Sequence, residues 1–306
     1  ITDTGEFEYD ALIIATGADT NFFGNVQMAE NAFPMKSTVE ALQLRHRLLH
    51  NFEDALVAKD RNDAAWLNRL MNVVIVGAGP TGVELSGAIA DMKRYQLPKD
   101  FPELDFSAMK IYLLEGTGKT LANMSEKSSK ESRQYLEKLG VTVLTNTLLK
   151  EYDGFKAVLQ DGNAIDTSMV IWAAGIKGNI PDGISNDLVA RGNRIRVDRQ
   201  CHVFGTDSIY AIGDVAYMEE PSWPNGHPQV APVAMQQADL VAKNLRLSMT
   251  GNNKQQPVLF EYNDKGNMAT VGRNLAVVDV PKPALHFKGL FAWMIWMGLH
   301  LMLILG

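Results

Sequence analysis

The sequence predicts an α/β fold in which buried strands alternate with helices, and three observations point there. Apolar strands are expected at Asn72–Val76, Lys110–Glu115 and 169–174, with helical stretches between them. A glycine-rich turn joins the first of these strands directly to a helix. Similar strand ends, Ala15-Thr16-Gly17 and Ile212-Gly213-Asp214, stand far apart in the chain. Strands that alternate with helices form parallel sheets covered by those helices.

In order along the chain, 8–15 reads as a short strand closed by Thr16 and Gly17. The stretch 38–58 reads as a helix, with Val39, Leu42, Leu48 and Leu49 at helical spacing. After the strand at 72–76 and the turn at 77–82 comes a helix over 83–92. A polar insert over 94–108, holding Pro98 and Pro102, is expected to be a loop. The strand at 110–115, a helix over 125–139 ended by Gly140, a strand at 141–144, a hairpin near 155–162 and the strand at 169–174 follow. Beyond Gly178 the pattern changes to short strands at 195–198 and 208–212. A helix over 232–249 is opened by Pro232 in its first turn and stopped by Gly251. Strands within 260–280 and an apolar run over 290–305 complete the chain.

The 306 residues suffice for two domains, and 46% apolar with 21% charged residues is an ordered globular composition. A net charge of −6, without a basic stripe interleaved with aromatics, argues against a nucleic-acid partner. Cys201 is the single cysteine, which excludes an intrachain disulfide, a redox-active cysteine pair and a multi-cysteine metal site; no metal is expected. No signal peptide is visible. The first residues read as completing a sheet begun elsewhere, so a preceding segment is expected.

The strongest motif is Val73-Val74-Ile75-Val76-Gly77-Ala78-Gly79-Pro80-Thr81-Gly82-Val83-Glu84. A GxGxxG string is weak alone, but here it follows a strand and opens a helix. Gly77 permits a tight turn, Gly79 lets the backbone approach a pyrophosphate, and Gly82 lets helix and strand pack closely. Pro80 and Thr81 begin the helix, whose free N–H groups favour a phosphate. The next strand ends in Glu115, which can accept both hydroxyls of an adenine ribose and repels a 2′-phosphate, so NADH is preferred to NADPH. Glu115 lies 33 residues beyond Gly82 rather than about 20, an excess the polar insert accounts for. The competing reading of Glu115 is a solvated strand end.

Thr16-Gly17 and Gly213-Asp214 each close an apolar strand. Asp214 there can accept a ribityl hydroxyl. The helix near Pro232 can aim a positive dipole end at a flavin ring, stabilising the anion formed on reduction. By themselves these are also ordinary strand ends.

The order of these elements resembles the two-dinucleotide flavoprotein oxidoreductases and, within them, the type II NADH dehydrogenases, single-subunit NADH:quinone oxidoreductases. The resemblance runs over nearly the whole chain. It rests on Ala15-Thr16-Gly17-Ala18 with Asn21-Phe22-Phe23-Gly24, on the glycine turn through Leu85, and on Tyr112-Leu113-Leu114-Glu115. Ile171-Trp172-Ala173-Ala174-Gly175, Tyr210 to Asp214, Ala231 to Gln237 and Lys288 to Trp293 extend it. It implies non-covalent FAD, NADH as donor and a membrane quinone as acceptor, with hydride passing from nicotinamide C4 to flavin N5 and no proton pumping. Gly175 is placed with the NADH site, and Thr16, Gly17, Gly213, Asp214 and Ala234 with FAD.

Three residues are implied to serve the reaction: Glu84 near flavin and nicotinamide, Gln236 as the second glutamine of an AQxAxQ element, and Lys288 near the quinone pocket. Pro232 replaces the first glutamine of that element. Glu84 reads alternatively as a helix-dipole partner, and Lys288 as an interfacial lysine. The family's first strand–GxGxxG–helix, which binds the FAD pyrophosphate, is not in this sequence.

The resulting expectation is an α/β protein of two Rossmann-like dinucleotide-binding domains, the FAD domain incomplete, plus a C-terminal membrane-associating region. Residues 1–70 are assigned to a remnant of the FAD-binding domain and 71–178 to the NADH-binding domain. Residues 179–256 are its return to the FAD-binding domain, and 257–306 a quinone- and membrane-facing region. The 18 residues 289–306 carry no Asp, Glu, Lys or Arg. Trp293, Trp296 and His300 fall on one helical face downstream of Lys282 and Lys288, as in a helix lying in the bilayer interface; a buried core helix competes. A monotopic protein on the cytoplasmic face of the inner or plasma membrane, where NADH is found, is expected, with a homodimer left open. The competing functions are a truncated, flavin-poor fragment that binds NADH and membrane without activity, and another FAD/NADH reductase.

Overall fold

The computed structural model describes residues 4–249 and 256–305. Contacts divide the chain into two units: 1–19 with 176–264, and 20–175 with 265–306.

The larger unit is built on a five-stranded parallel sheet in the order Phe33–Pro34, Val170–Trp172, Asn72–Val76, Lys110–Glu115, Val141–Thr145. All five residues of the Asn72–Val76 strand are buried, because the sheet is covered on both faces: Val73 and Ile75 lie in the main core, and Val74 and Val76 pack with Tyr152, Ala157 and Leu159 on the other face. The helix Pro80–Tyr95 packs on one face, where Val83, Ile89 and Ala90 join Val73, Ile75, Ile111 and Leu113 in the main core. The helix Thr38–Asp60 starts at a capping box: Ser37 Oγ accepts the Glu40 N–H, and Glu40 returns the favour to the Ser37 N–H.

The 94–108 insert is not the expected loop. It holds the end of the Pro80–Tyr95 helix and a short helix Leu97–Asp100, and Leu97, Leu104 and Phe106 are buried. The rings of Phe101 and Phe106 pack on Phe52 of the distant Thr38–Asp60 helix, a partner no local periodicity could announce. The helix Ala64–Met71, capped by Asp63, was likewise not anticipated. Residues 20–70, grouped by sequence with the first segment, pack in this larger unit.

An antiparallel sheet of Leu149–Tyr152, Lys156–Leu159 and Ala164–Asp166 contains the expected hairpin. The 260–280 stretch forms strands only at Asn267–Thr270 and Ala276–Val280. These pair with an unanticipated third, Leu285–Lys288, which leads directly into the helix Gly289–Leu305.

In the smaller unit, Leu12–Ile14 pairs in parallel with Ile209–Ala211, Ile14 opposite Ala211. The expected strand over 8–15 shrinks to three residues because that is the length of its partner. Val189–Ala190, Arg194–Arg196 and Ala216–Tyr217 form a second sheet. The helix Ala231–Met249 packs Val233, Leu240 and Val241 against Ile14, Ala211 and Val215. Its expected stop, Gly251, lies outside the described residues.

Candidate functional site

In the larger unit the glycine turn sits at the carboxyl edge of the parallel sheet, where open α/β sheets hold their ligands. Its glycines are required by contact. A Cβ on Gly82 would stand 1.8 Å from the Gly77 carbonyl oxygen; one on Gly77, at φ +98°, would stand 2.6 Å from the Ala173 oxygen. Gly79 is different: a Cβ there meets nothing within 4 Å, so the space beside it is open. The helix begins at Pro80 with no side-chain cap, leaving its first N–H groups for a ligand. Thr81 is exposed beside them.

Glu115 ends the neighbouring strand. Its Oε2 accepts the Ala78 N–H and its Oε1 the Thr117 N–H, each at 2.7 Å. Two backbone donors leave further lone pairs on a half-buried carboxylate, enough for a sugar diol. On the other side of the turn, Gly175 follows the Val170–Trp172 strand. A Cβ on Gly175 would lie 2.9 Å from Cζ of Phe23, so this glycine makes room for an aromatic ring.

Glu84 faces the C-terminal sheet: its Oε1 accepts the Thr270 N–H at 3.1 Å. Burial pushes its pKa up, while hydrogen bonds from Thr270 and the charge of His300 pull the other way without cancelling the rise. A carboxyl group that protonates more readily than usual is suited to proton transfer.

Lys288 is exposed and donates to Glu131 Oε1 at 2.9 Å. Glu131 Oε2 also lies 2.8 Å from His286 Nε2, and His286 Nδ1 lies 2.8 Å from Asp279 Oδ1. Asp279 in turn accepts the N–H and hydroxyl of Ser125. This chain of charges ties the Glu126–Lys138 helix to the strands that carry the final helix. Sequence reading found Lys288 but not its partners, which are 157 residues away in the case of Glu131.

In the smaller unit the parallel pair brings the two similar strand ends together: Thr16-Gly17 and Gly213-Asp214 leave the same sheet edge side by side. The Thr16 hydroxyl donates to the Asn179 carbonyl. Gly213 takes φ +73°, and a Cβ there would press at 3.3 Å on the Cβ of Ala234. Its N–H donates to Oε1 of the buried Gln237 at 2.7 Å. Asp214 stays half-exposed, and its carbonyl accepts from Gln229 at 2.8 Å. Gln236 spends its amide on the backbone of Asn263, donating at 3.1 Å and accepting at 3.0 Å. Its neighbour Gln237, missed by sequence reading, is the glutamine that reaches the Gly213-Asp214 turn. Cys201 is buried and its thiol is pushed up to about 12 by burial, so it offers no thiolate chemistry.

The helix Gly289–Leu305 turns its faces differently from the sequence expectation. Ala292 is buried and Trp293 packs with it against Val278 and Met268, while Trp296 stacks on His300 with centroids 4.1 Å apart. The exposed face is instead Leu290, Phe291, Met294, Leu301 and Met302. Among the described residues no helix is long and apolar enough to cross a membrane.

The strand order and the glycine turn at the sheet edge define the class, a mixed α/β protein of Rossmann-like construction. The chain belongs to the pyridine nucleotide-disulphide oxidoreductase family, whose profile matches residues 2–238. It is 33% identical over 99% of its length to the type II NADH:quinone oxidoreductase Ndh of Mycobacterium tuberculosis. It is 34% identical over 97% of its length to NdhA of the same organism. It spans 65% and 63% of those two relatives. The structure of NDH2 from Plasmodium falciparum in complex with NADH superimposes with a TM-score of 0.87 over 98% of this chain and 75% of that one; at 21% identity this speaks to fold.

Proposed function

We propose that the chain is the NADH-oxidising part of a non-proton-pumping NADH:quinone oxidoreductase that uses FAD. The observation that carries the reading is the sheet edge of the larger unit. There a tightly closed glycine turn with open space beside Gly79, an uncapped helix start and the Glu115 carboxylate stand together, which suits a pyrophosphate flanked by an unphosphorylated ribose. The names of the Mycobacterium tuberculosis relatives support quinone as the acceptor.

Residues 71–178 would hold NADH. Thr16, Gly17, Gly213, Asp214 and Ala234 would hold part of FAD. The left-handed Gly213, closed by Ala234 and fixed by Gln237, offers a tight turn that fits a ribityl chain better than it would fit a side chain of its own. When bound, the flavin supplies a two-electron acceptor that can deliver electrons onward to quinone. Glu84, with its raised pKa, would hold or release a proton on the quinone side. Gln236 would keep the segment at Asn263 in place beside the helix start rather than bind quinone itself, and Lys288 would anchor the root of the final helix. The exposed apolar face of Gly289–Leu305 supports peripheral docking on a lipid surface, assigned to the cytoplasmic face because NADH is found there.

The test is the visible absorption of the chain after incubation with FAD and desalting. A retained flavin band that NADH bleaches and NADPH does not, followed by quinone reduction, is the expected result. A retained band that NADH leaves unbleached overturns the reading. Absence of a band favours a fragment that binds NADH without turning over.

A further inference from the structure

We propose that Phe23 closes over the nicotinamide-nucleoside end of bound NADH and so sets the affinity for that half of the dinucleotide. The inference rests on the reading of the glycine turn as the NADH pyrophosphate site.

The direction of the ligand follows from the strand order. Glu115 lies on one side of the Asn72–Val76 strand and Val170–Trp172 on the other. With the pyrophosphate on the turn and the adenosine ribose on Glu115, the second nucleoside must extend over 173–175. The backbone there is bare of bulk, being Ala173-Ala174-Gly175, and it lies so close to the turn that a Cβ on Gly77 would stand 2.6 Å from the Ala173 oxygen. The side chain that a Cβ on Gly175 would meet is Phe23, whose Cζ lies 2.9 Å from that position.

Phe23 is not placed there by apolar packing. The residue is 67% exposed, although Trp172 lies 6.4 Å away between ring centroids. Its backbone is left-handed, φ +52°, a conformation uncommon for an aromatic residue. Four hydrogen bonds hold it so. Asn21 Oδ1 accepts the Phe23 N–H at 2.8 Å, and the Asn25 N–H reaches the Phe22 carbonyl at 3.0 Å. The Asn21 N–H reaches the Gly175 carbonyl at 3.0 Å, and Trp172 Nε1 donates to the Asn21 carbonyl at 2.9 Å. A strained backbone clamped so that it presents an apolar ring to solvent, beside a ligand cradle, is the signature of a binding residue. The flat, weakly polar dihydronicotinamide is a fitting counterpart for that ring, by stacking or edge contact.

The test compares NADH with ADP-ribose, which shares the adenosine and pyrophosphate but lacks nicotinamide, by titration calorimetry on the whole chain. Two variants remove the ring. Phe23→Ala truncates it, and Phe23→Asn does so with a residue at ease in the left-handed region, which keeps the turn folded. Both are expected to weaken NADH about tenfold while leaving ADP-ribose within about twofold, with Phe23→Leu intermediate. Equal weakening of both ligands, or unchanged NADH affinity, overturns the proposal while the NADH reading stands. A wild-type chain that binds neither ligand removes the NADH reading and the proposal with it.

Discussion

Glu115 Oε2 accepts the backbone N–H of Ala78 at 2.7 Å, so the carboxylate at the end of one strand is part of the glycine turn at the end of the next. Glu115→Gln keeps the length but loses the charge and an acceptor, and Ala78 is buried. The expected outcome is a loss of about 1–2 kcal/mol of stability in a thermal melt. Calorimetric titration is expected to show the preference for NADH over NADPH narrowed about tenfold, since a 2′-phosphate no longer meets a negative charge. An unchanged ratio would reduce Glu115 to a turn-bracing residue.

Gly82 and Gly79 separate folding from binding. Gly82→Ala has nowhere to put its methyl group, 1.8 Å from the Gly77 oxygen, and is expected to cost about 3 kcal/mol in chemical denaturation. Gly79→Ala fills open space and should melt like the parent chain, while its NADH affinity falls because the methyl group stands where the pyrophosphate approaches. If Gly79→Ala bound NADH normally, the cradle would have to lie elsewhere.

Glu84 is predicted to trade stability for function. Its folded pKa is raised, so the folded state binds the proton more tightly than the unfolded chain does. Stability therefore falls as pH rises from the ordinary glutamate range through the raised value. Glu84→Gln keeps an oxygen for the Thr270 N–H and removes that loss. Its melting temperature should exceed wild type at neutral pH and converge with it in acid. Quinone reduction should drop with flavin retained; unchanged turnover would leave Glu84 without a part in the reaction.

His286 has the same sign of dependence as Glu84, but from charge pairing rather than burial. Burial alone would lower its pKa, but hydrogen bonds and charges from Asp279 and Glu131 outweigh burial and raise it. Its contribution is complete below the ordinary histidine range and is lost as pH rises through the raised value. Asp279 and Glu131 have lowered values, burial opposing but not overcoming their bonds to Ser125 and to Lys288 and His286 respectively. Their contribution disappears as pH falls through those values. With Tyr135 and Lys288 as the other titratable groups nearby, hydrogen exchange of the Leu285–Lys288 strand should be slowest between the two limits. His286→Gln should flatten the alkaline side; an unaltered profile would refute this account.

Membrane docking is best tested by charge rather than deletion. Truncation after Lys288 also removes Ala292 and Trp293 from their packing against Val278, so it damages the C-terminal sheet. Met294→Glu and Met302→Glu change only exposed positions. They are expected to abolish liposome flotation with melting and NADH affinity unchanged; undiminished flotation would remove this helix face from the membrane account.

What the sequence determined by itself was whatever is written in consecutive residues. The strand–glycine–helix junction at Val73 to Glu84 is local in its causes, since φ, helix start and strand burial all arise within a dozen positions. The same holds for Glu115 at its strand end and for the apolar run after Lys288. Every pairing across distance came from the closure of the folded chain. Register between Leu12–Ile14 and Ile209–Ala211 sets the two similar strand ends side by side. The apolar residues of the polar-looking 94–108 insert found Phe52, too few and too irregularly spaced to reveal a period. Lys288 acquired Glu131 and His286, and the choice between adjacent Gln236 and Gln237 fell to helix rotation, which turns one amide to Asn263 and the other to Gly213. The final helix presents leucine, phenylalanine and methionine rather than tryptophan residues because Ala292 is small enough to dock on the sheet and carries Trp293 partly inward with it. Apolar patterning fixes which residues seek burial, but the partner each one finds depends on chain closure over long separations.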